Sequence, residues 1–217
     1  MLFSLCLTEK RKDCIINILI FYREGLYMQI IENIDFSILW WIQENIRCAF
    51  LDVVLPFMSK ICDNGEVWIA CGIVLLFFKK YRRYGIILFV GMFLTSLVGN
   101  EIIKPLVGRV RPCNAISTLP EMLISAPGGF SFPSGHTGSS VVAATVITMA
   151  NKKFGFAAIP VAALIAFSRL YVFVHFPTDV LAGALLGFTI GFLCVKLGNK
   201  LFDRYSLLLP TSKQDEN

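Results

Sequence analysis

The chain has 217 residues, of which 56% are hydrophobic and only 16% charged, with a formal net charge of +5 and a mean hydropathy of +0.68. A soluble domain carries about 25% charged residues, so these figures exclude an ordinary soluble enzyme and point to one integral membrane domain. No tract of like charge is long enough for a nucleic-acid partner, and in a membrane protein a basic excess marks cytoplasmic loops.

Residues 1–33 read as an N-terminal extension. After Lys10-Arg11-Lys12 a short apolar run, Ile16 to Tyr22, meets Arg23 and Glu24 without a small-residue cleavage site. No secretory signal is therefore expected, and Met28 is an equally good start. Residues 34–200 read as the membrane domain, and 201–217 as a cytoplasmic tail that is polar from Thr211 onward.

Within 34–62, Phe36, Ile38, Leu39, Trp40 and Trp41 form an interfacial anchor. Arg47, Asp52 and Lys60 argue against a plain lipid-facing helix, so an amphipathic helix followed by a first crossing is expected. Five clear hydrophobic stretches follow at 66–79, 84–103, 137–150, 156–174 and 179–199. The fold class is then all-α, a polytopic bundle of about six transmembrane helices; five spans plus an interfacial element is the alternative. Some stretches fall short of the ~20 residues that cross hydrocarbon, as polar helix ends dipping into a protein-lined cavity would.

Basic residues set the orientation. Lys79, Lys80, Arg82 and Arg83 separate the first two clear spans, Lys152 and Lys153 the third and fourth, and Lys196, Lys200 and Arg204 end the last. Counting spans puts all three groups on one side, which the positive-inside rule makes cytoplasmic. Lys104, Arg111, His136, Arg169, His175 and Asp179 then gather at the extracytoplasmic helix ends. The loop from Cys113 to Phe132 carries Pro120, Pro127, Gly128 and Gly129, so it is expected to be irregular and to cap that end.

The seven cysteines are scattered with no Cys-x-x-Cys pair, which argues against a zinc site. The chain has only two histidines, and both stand in clusters suited to phosphate. Lys104-Pro105-Leu106-Val107-Gly108-Arg109-Val110-Arg111-Pro112 comes first. Arg111 and Arg169 offer planar forks for two oxygens, and Lys104 a point charge. Arg109, two residues from Arg111, need not point the same way and reads as a snorkelling side chain. In Pro133-Ser134-Gly135-His136-Thr137, Ser134 is a helix N-cap, Gly135 permits close backbone approach, and the free N–H groups bind anions. His175 and Asp179 are four residues apart, with Pro177 starting the last helix between them. The bland reading is an N-cap pair. The sharper one has Asp179 fix the His175 tautomer and raise its basicity, freeing the other nitrogen to attack phosphorus. This inventory suits metal-free phosphoryl transfer through histidine, on a membrane lipid.

Lys, six residues, Arg-Pro; Pro-Ser-Gly-His; then Ser-Arg, five residues, His, three residues, Asp: the pattern spans Lys104 to Asp179 and resembles the type 2 phosphatidic acid phosphatase superfamily. The resemblance implies catalytic roles for His175 as nucleophile, Asp179 as its orienter and His136 as acid and then base. It implies phosphate binding by Lys104, Arg111, Arg169, Ser134 and Gly135, with no metal and no cofactor. It implies a lipid phosphate or diphosphate as substrate: undecaprenyl diphosphate first, then phosphatidylglycerophosphate or phosphatidic acid. A phosphotransferase with the same covalent intermediate and a non-enzymatic anion-binding membrane protein are the alternatives. The oligomeric state and any disulfide pairing stay open.

Overall fold

The computed structural model describes residues 28–116 and 121–208, with side chains described to Arg204. The basic and apolar segments before residue 28 and the tail from Thr211 lie outside the described residues. Every regular element described is helical. In chain order these are α1 (residues 28–45), α2 (Ala49–Lys60), α3 (Glu66–Phe77) and α4 (Arg82–Ser96). A wider π-helical segment, Leu97–Ile103, leads into α5 (Lys104–Val107). Then come α6 (Pro112–Ala115), α7 (Gly135–Ala150), α8 (Lys152–Tyr171) and α9 (Pro177–Leu208).

Among the described residues, three helical segments are long and apolar enough to cross a membrane: Arg82–Ala115, Lys152–Tyr171 and Pro177–Arg204. Their outer surfaces are apolar, with Phe156 83% and Leu185 69% exposed, which suits lipid and not water. The segment 34–62 forms two short helices broken at residues 46–48. With 12 residues each, α2 and α3 rise only about 18 Å, short of the ~30 Å hydrocarbon core.

α7 occupies the centre and packs on α8, α9 and α4, while α3 lies against α4 and α2 against α8. The α7–α9 crossing is close because α9 carries glycine at every fourth position. A Cβ on Gly183 would stand 2.5 Å from the Ser134 carbonyl oxygen, and one on Gly191 3.1 Å from the Thr145 Cβ. Gly187 meets the Gly138 backbone in the same way. Such small-residue stripes let membrane helices approach where no hydrophobic force drives them together.

The basic turns meet at one end of the bundle. Asn151 donates to the Tyr81 hydroxyl at 3.0 Å, Tyr81 packs on Phe154, and Arg83 pairs with Asp203 of α9 at 3.5 Å. The three motifs lie together elsewhere, around one cavity.

Candidate active site

A cavity of about 470 Å³ is lined by Lys104, Arg111, His136, Arg169 and His175, with Asp63, Asn100, Gly135 and Pro127 also in its wall. The residues singled out in sequence converge there, apart from Ser134 and Asp179, which stand behind it. The π-helical segment ends at Lys104, and an inserted turn of this kind re-aims the residues after it.

Helix α8 ends at Tyr171, and residues Val172 to Phe176 turn before α9 begins at Pro177. His175 therefore precedes the helix and is not part of its first turn. Phe173 adopts φ 60°, rare for a bulky residue. Its burial against Leu39 and Trp40 of α1 offsets that strain. The carbonyl of Arg169 accepts from the N–H groups of Val174 and His175 at 3.2 and 3.3 Å. The Arg and His of the third motif are thus held by one backbone oxygen.

The His175 side chain is 2% exposed. Its Nε2 lies 3.1 Å from Nη1 of Arg111. A guanidinium only donates, so Nε2 must accept and the neutral ring carries its proton on Nδ1. That nitrogen faces Oδ2 of Asp179 at 3.5 Å and has no closer partner. The contact is long for a hydrogen bond, but its direction is the one that presents the Nε2 lone pair to the cavity. Burial, ahead of the neighbouring guanidinium charges of Arg111 and Arg169, pushes the His175 pKa down to about 3, against the pull of Asp179. The sequence led us to expect Asp179 to raise it. Desolvation of the charged ring outweighs the carboxylate in the empty site.

Arg111 is anchored by carbonyls. Its Nη1 donates to Val174 at 3.1 Å, its Nε to Gly129 at 3.2 Å and its Nη2 to Gly128 at 3.2 Å. The glycine loop expected to cap the site therefore orients this guanidinium. Arg169, 2% exposed, donates through Nη1 to the Ser59 hydroxyl, while its Nε has no partner.

Ser134 caps α7 as expected, accepting from the Thr137 N–H at 3.4 Å and the Thr137 hydroxyl at 3.0 Å. It is 1% exposed and is not among the residues lining the cavity. His136 faces the cavity, and its Nε2 lies 3.2 Å from Oδ1 of Asp63.

Four partners were not legible in the motifs: Asp35, Ser59, Asp63 and Arg109. Arg109 does not snorkel. Its Nη1 donates to Asp179 Oδ1 at 2.8 Å and Thr178 Oγ1 at 2.6 Å, and its Nη2 to Asp35 Oδ2 at 2.7 Å. The signal available in sequence was its place in a helix–Gly108–Arg turn. That Gly108 has φ 63°, which turns the chain so that Arg111 reaches the cavity while Arg109 turns to Asp35 and Asp179. Among the described residues no group of three or more His, Cys, Asp or Glu could hold a metal ion.

Residues 84–203 match the PAP2 superfamily. An undecaprenyl-diphosphatase of Sulfolobus acidocaldarius is 35% identical over 185 residues, covering 83% of this chain and 88% of that one. The crystal structure of Aquifex aeolicus LpxE superposes with a TM-score of 0.67 at 26% identity, covering 75% of this chain and 95% of that one. A transmembrane PAP2-type phosphatidylglycerolphosphate phosphatase from Bacillus subtilis superposes with a TM-score of 0.60 at 25% identity, covering 81% and 87%.

Proposed function

We propose that this chain, which belongs to the PAP2 superfamily and is a lipid phosphatase, hydrolyses a lipid diphosphate through a phosphohistidine formed on His175. The observation that carries this reading is the buried, neutral His175, whose Nε2 accepts from Arg111 at the wall of a cavity lined by Lys104, Arg169 and His136. Undecaprenyl diphosphate is the leading substrate, supported by the 35% identity to an enzyme of that name.

In the first step Nε2 of His175 forms a bond to phosphorus as the bond to the leaving oxygen breaks. His136 gives that oxygen a proton. In the second step His136 takes a proton from water, the water oxygen bonds to phosphorus, and His175 departs as the leaving group. Lys104, Arg111 and Arg169 hold the phosphoryl oxygens, where charge must be stabilised most. The N–H groups at the Gly135 start of α7 add donors. As Nε2 turns from Arg111 to phosphorus, the freed Arg111 N–H passes to a phosphoryl oxygen.

The site faces the extracytoplasmic side of a multi-pass protein with about six crossings in this reading, α2 and α3 being counted as short crossings. The gathering of Tyr81, Asn151 and Asp203 with the basic turns at one end supports it. A phosphate-release panel with purified protein tests the substrate, comparing undecaprenyl diphosphate, phosphatidylglycerophosphate, phosphatidic acid and a soluble phosphomonoester. Equal rates on all four, or release from the soluble ester alone, would exclude a lipid diphosphate phosphatase.

A further inference from the structure

We propose that Asp35, on the N-terminal helix α1, is a positioning residue that sets the charge of the His175–Asp179 pair by neutralising Arg109. Asp35 lies outside residues 84–203, which match the superfamily. It is nevertheless 1% exposed, and the carboxylate is fully engaged. Oδ2 accepts from Arg109 at 2.7 Å and from the Thr178 hydroxyl at 2.5 Å, and Oδ1 from the Thr178 N–H at 3.1 Å. Arg109 continues the chain to Asp179 at 2.8 Å, and Asp179 faces Nδ1 of His175 at 3.5 Å. The four side chains form one row: Asp35, Arg109, Asp179, His175.

The charge balance of that row decides its use. Arg109 paired with Asp179 alone would be neutral, leaving nothing to favour positive charge on His175. Attack by Nε2 puts a positive charge on the ring, since the Nδ1 proton stays while Nε2 bonds to phosphorus. Lys104, Arg111 and Arg169 around the same cavity all oppose it. Asp35 cancels Arg109, so the row presents one net negative charge to Nδ1. Charges interact strongly in such a dry site. Helix α1 is also held against the His175 turn by the Phe36–Phe176 ring contact at 5.0 Å and by Gln43, which donates to the Tyr171 carbonyl at 2.9 Å. Docking of α1 is therefore what completes the nucleophile.

The inference rests on His175 being the nucleophile, and the test separates the two. Purified wild type, Asp35→Asn, Asp35→Glu, Asp35→Asn/Arg109→Gln and His175→Ala are compared for kcat and KM. Inhibition by orthovanadate, which bonds to the attacking nitrogen, is compared with inhibition by inorganic phosphate, which reads the cationic wall. Loss of a partner one step removed from a reacting group costs about tenfold to a hundredfold. Asp35→Asn should lower kcat and weaken orthovanadate by about that factor, with KM and phosphate inhibition within about twofold. The double variant, in which Arg109 no longer cancels the Asp179 charge, should recover most of the loss, and Asp35→Glu should stay close to wild type. Equal weakening of orthovanadate and phosphate with no recovery in the double variant would make Asp35 merely structural and overturn the proposal. So would a kcat within about twofold of wild type in Asp35→Asn. Where Asp35→Asn does not fold, the Glu and double variants decide: loss in both beyond about a hundredfold overturns it. Activity and orthovanadate binding kept in His175→Ala would instead overturn the nucleophile.

Discussion

The backbone N–H of Ser134 donates to the backbone carbonyl of Asp179 at 3.0 Å. This bond joins the start of α7 to the first turn of α9. It places His136 on one side and the His175–Asp179 pair on the other by a single helix crossing. The geometry of phosphoryl transfer then depends on how closely α7 and α9 approach.

That dependence gives a first prediction. A Cβ at Gly183 would meet the Ser134 carbonyl oxygen at 2.5 Å and the Thr137 Cβ at 3.3 Å. Backbone must move to admit it, and overpacking of this kind costs about 1–3 kcal/mol. Gly183→Ala is expected to lower the thermal stability in detergent and to reduce kcat more than KM, because Ser134 and Asp179 part. Thermal denaturation and phosphate release measure both. An unchanged melting temperature would show that α7 and α9 have slack at this point.

A second prediction concerns the nucleophile. His175→Ala removes the nitrogen proposed to form the covalent bond and is expected to abolish turnover. Asp179→Asn keeps the shape, but it removes the charge facing Nδ1 and weakens the Arg109 pairing. It should lower kcat through the wrong tautomer, with the fold intact. The intermediate is to be sought without acid quenching, since phosphohistidine is acid-labile. A His175→Ala protein with a tenth of normal activity would end the nucleophile assignment.

The pH dependence follows from burial. The free imidazole of His175 has its pKa lowered from 6.5 to about 3, burial being the largest cause. The ring is therefore neutral and able to attack throughout the ordinary range. The kcat/KM profile, which reports the free enzyme, should show no acid limb near 6.5 from His175 and should fall only as pH approaches about 4. Burial and the Arg169 charge lower the His136 pKa as well, from 6.5 to about 4 in the empty site, so a basic limb near neutrality requires the substrate phosphate to raise it. A bell bounded by two ordinary imidazole values, which the sequence suggested, thus loses its acid side. The stability sign is the same: the unfolded chain binds more protons between 6.5 and about 3, so stability present above 6.5 is lost as pH falls through that window. An acid limb centred near 6.5 with both a diphosphate and a monophosphate substrate would contradict the burial argument.

The motifs were legible because their spacing is local. Ser134 capping α7 and the apolar α4, α8 and α9 follow from short runs of sequence, and the meeting of Lys104, Arg111, Arg169, His136 and His175 around one cavity from span counting, which puts all three motifs at the same helix ends. Asp35 and Asp63 were not, because each meets its partner across about seventy residues of chain: Asp35 at Arg109 and Asp63 at His136. No periodicity announces such a contact; it exists only after α1 and the α2–α3 turn have docked. Arg109 was misread for a related reason. Helix geometry separates positions two apart, but Gly108 ends the helix first, and Arg109 then turns toward acidic partners instead of solvent.

The last prediction concerns sidedness. Lys79, Lys80, Arg82, Arg83, Lys152 and Lys153 flank turns that meet at one end of the bundle, where Tyr81 and Asn151 bond at 3.0 Å. The Gly128–Gly129 loop lies with the cavity, its carbonyls on Arg111. By the positive-inside rule the first end is expected to be cytoplasmic. In a cysteine-free background, a single cysteine at Gly129 should react in intact cells with a membrane-impermeant thiol reagent, and one at Lys153 should not. Gly129 is in a loop and Lys153 in the first turn of α8, both exposed, so reactivity reads access and not burial in the bundle. Lysis should expose Lys153→Cys to the same reagent, which separates protection by the membrane from poor reactivity. Labelling of Lys153→Cys alone in intact cells would turn the cavity toward the cytoplasm. It would also remove the case for a lipid diphosphate released on the outer leaflet as the substrate.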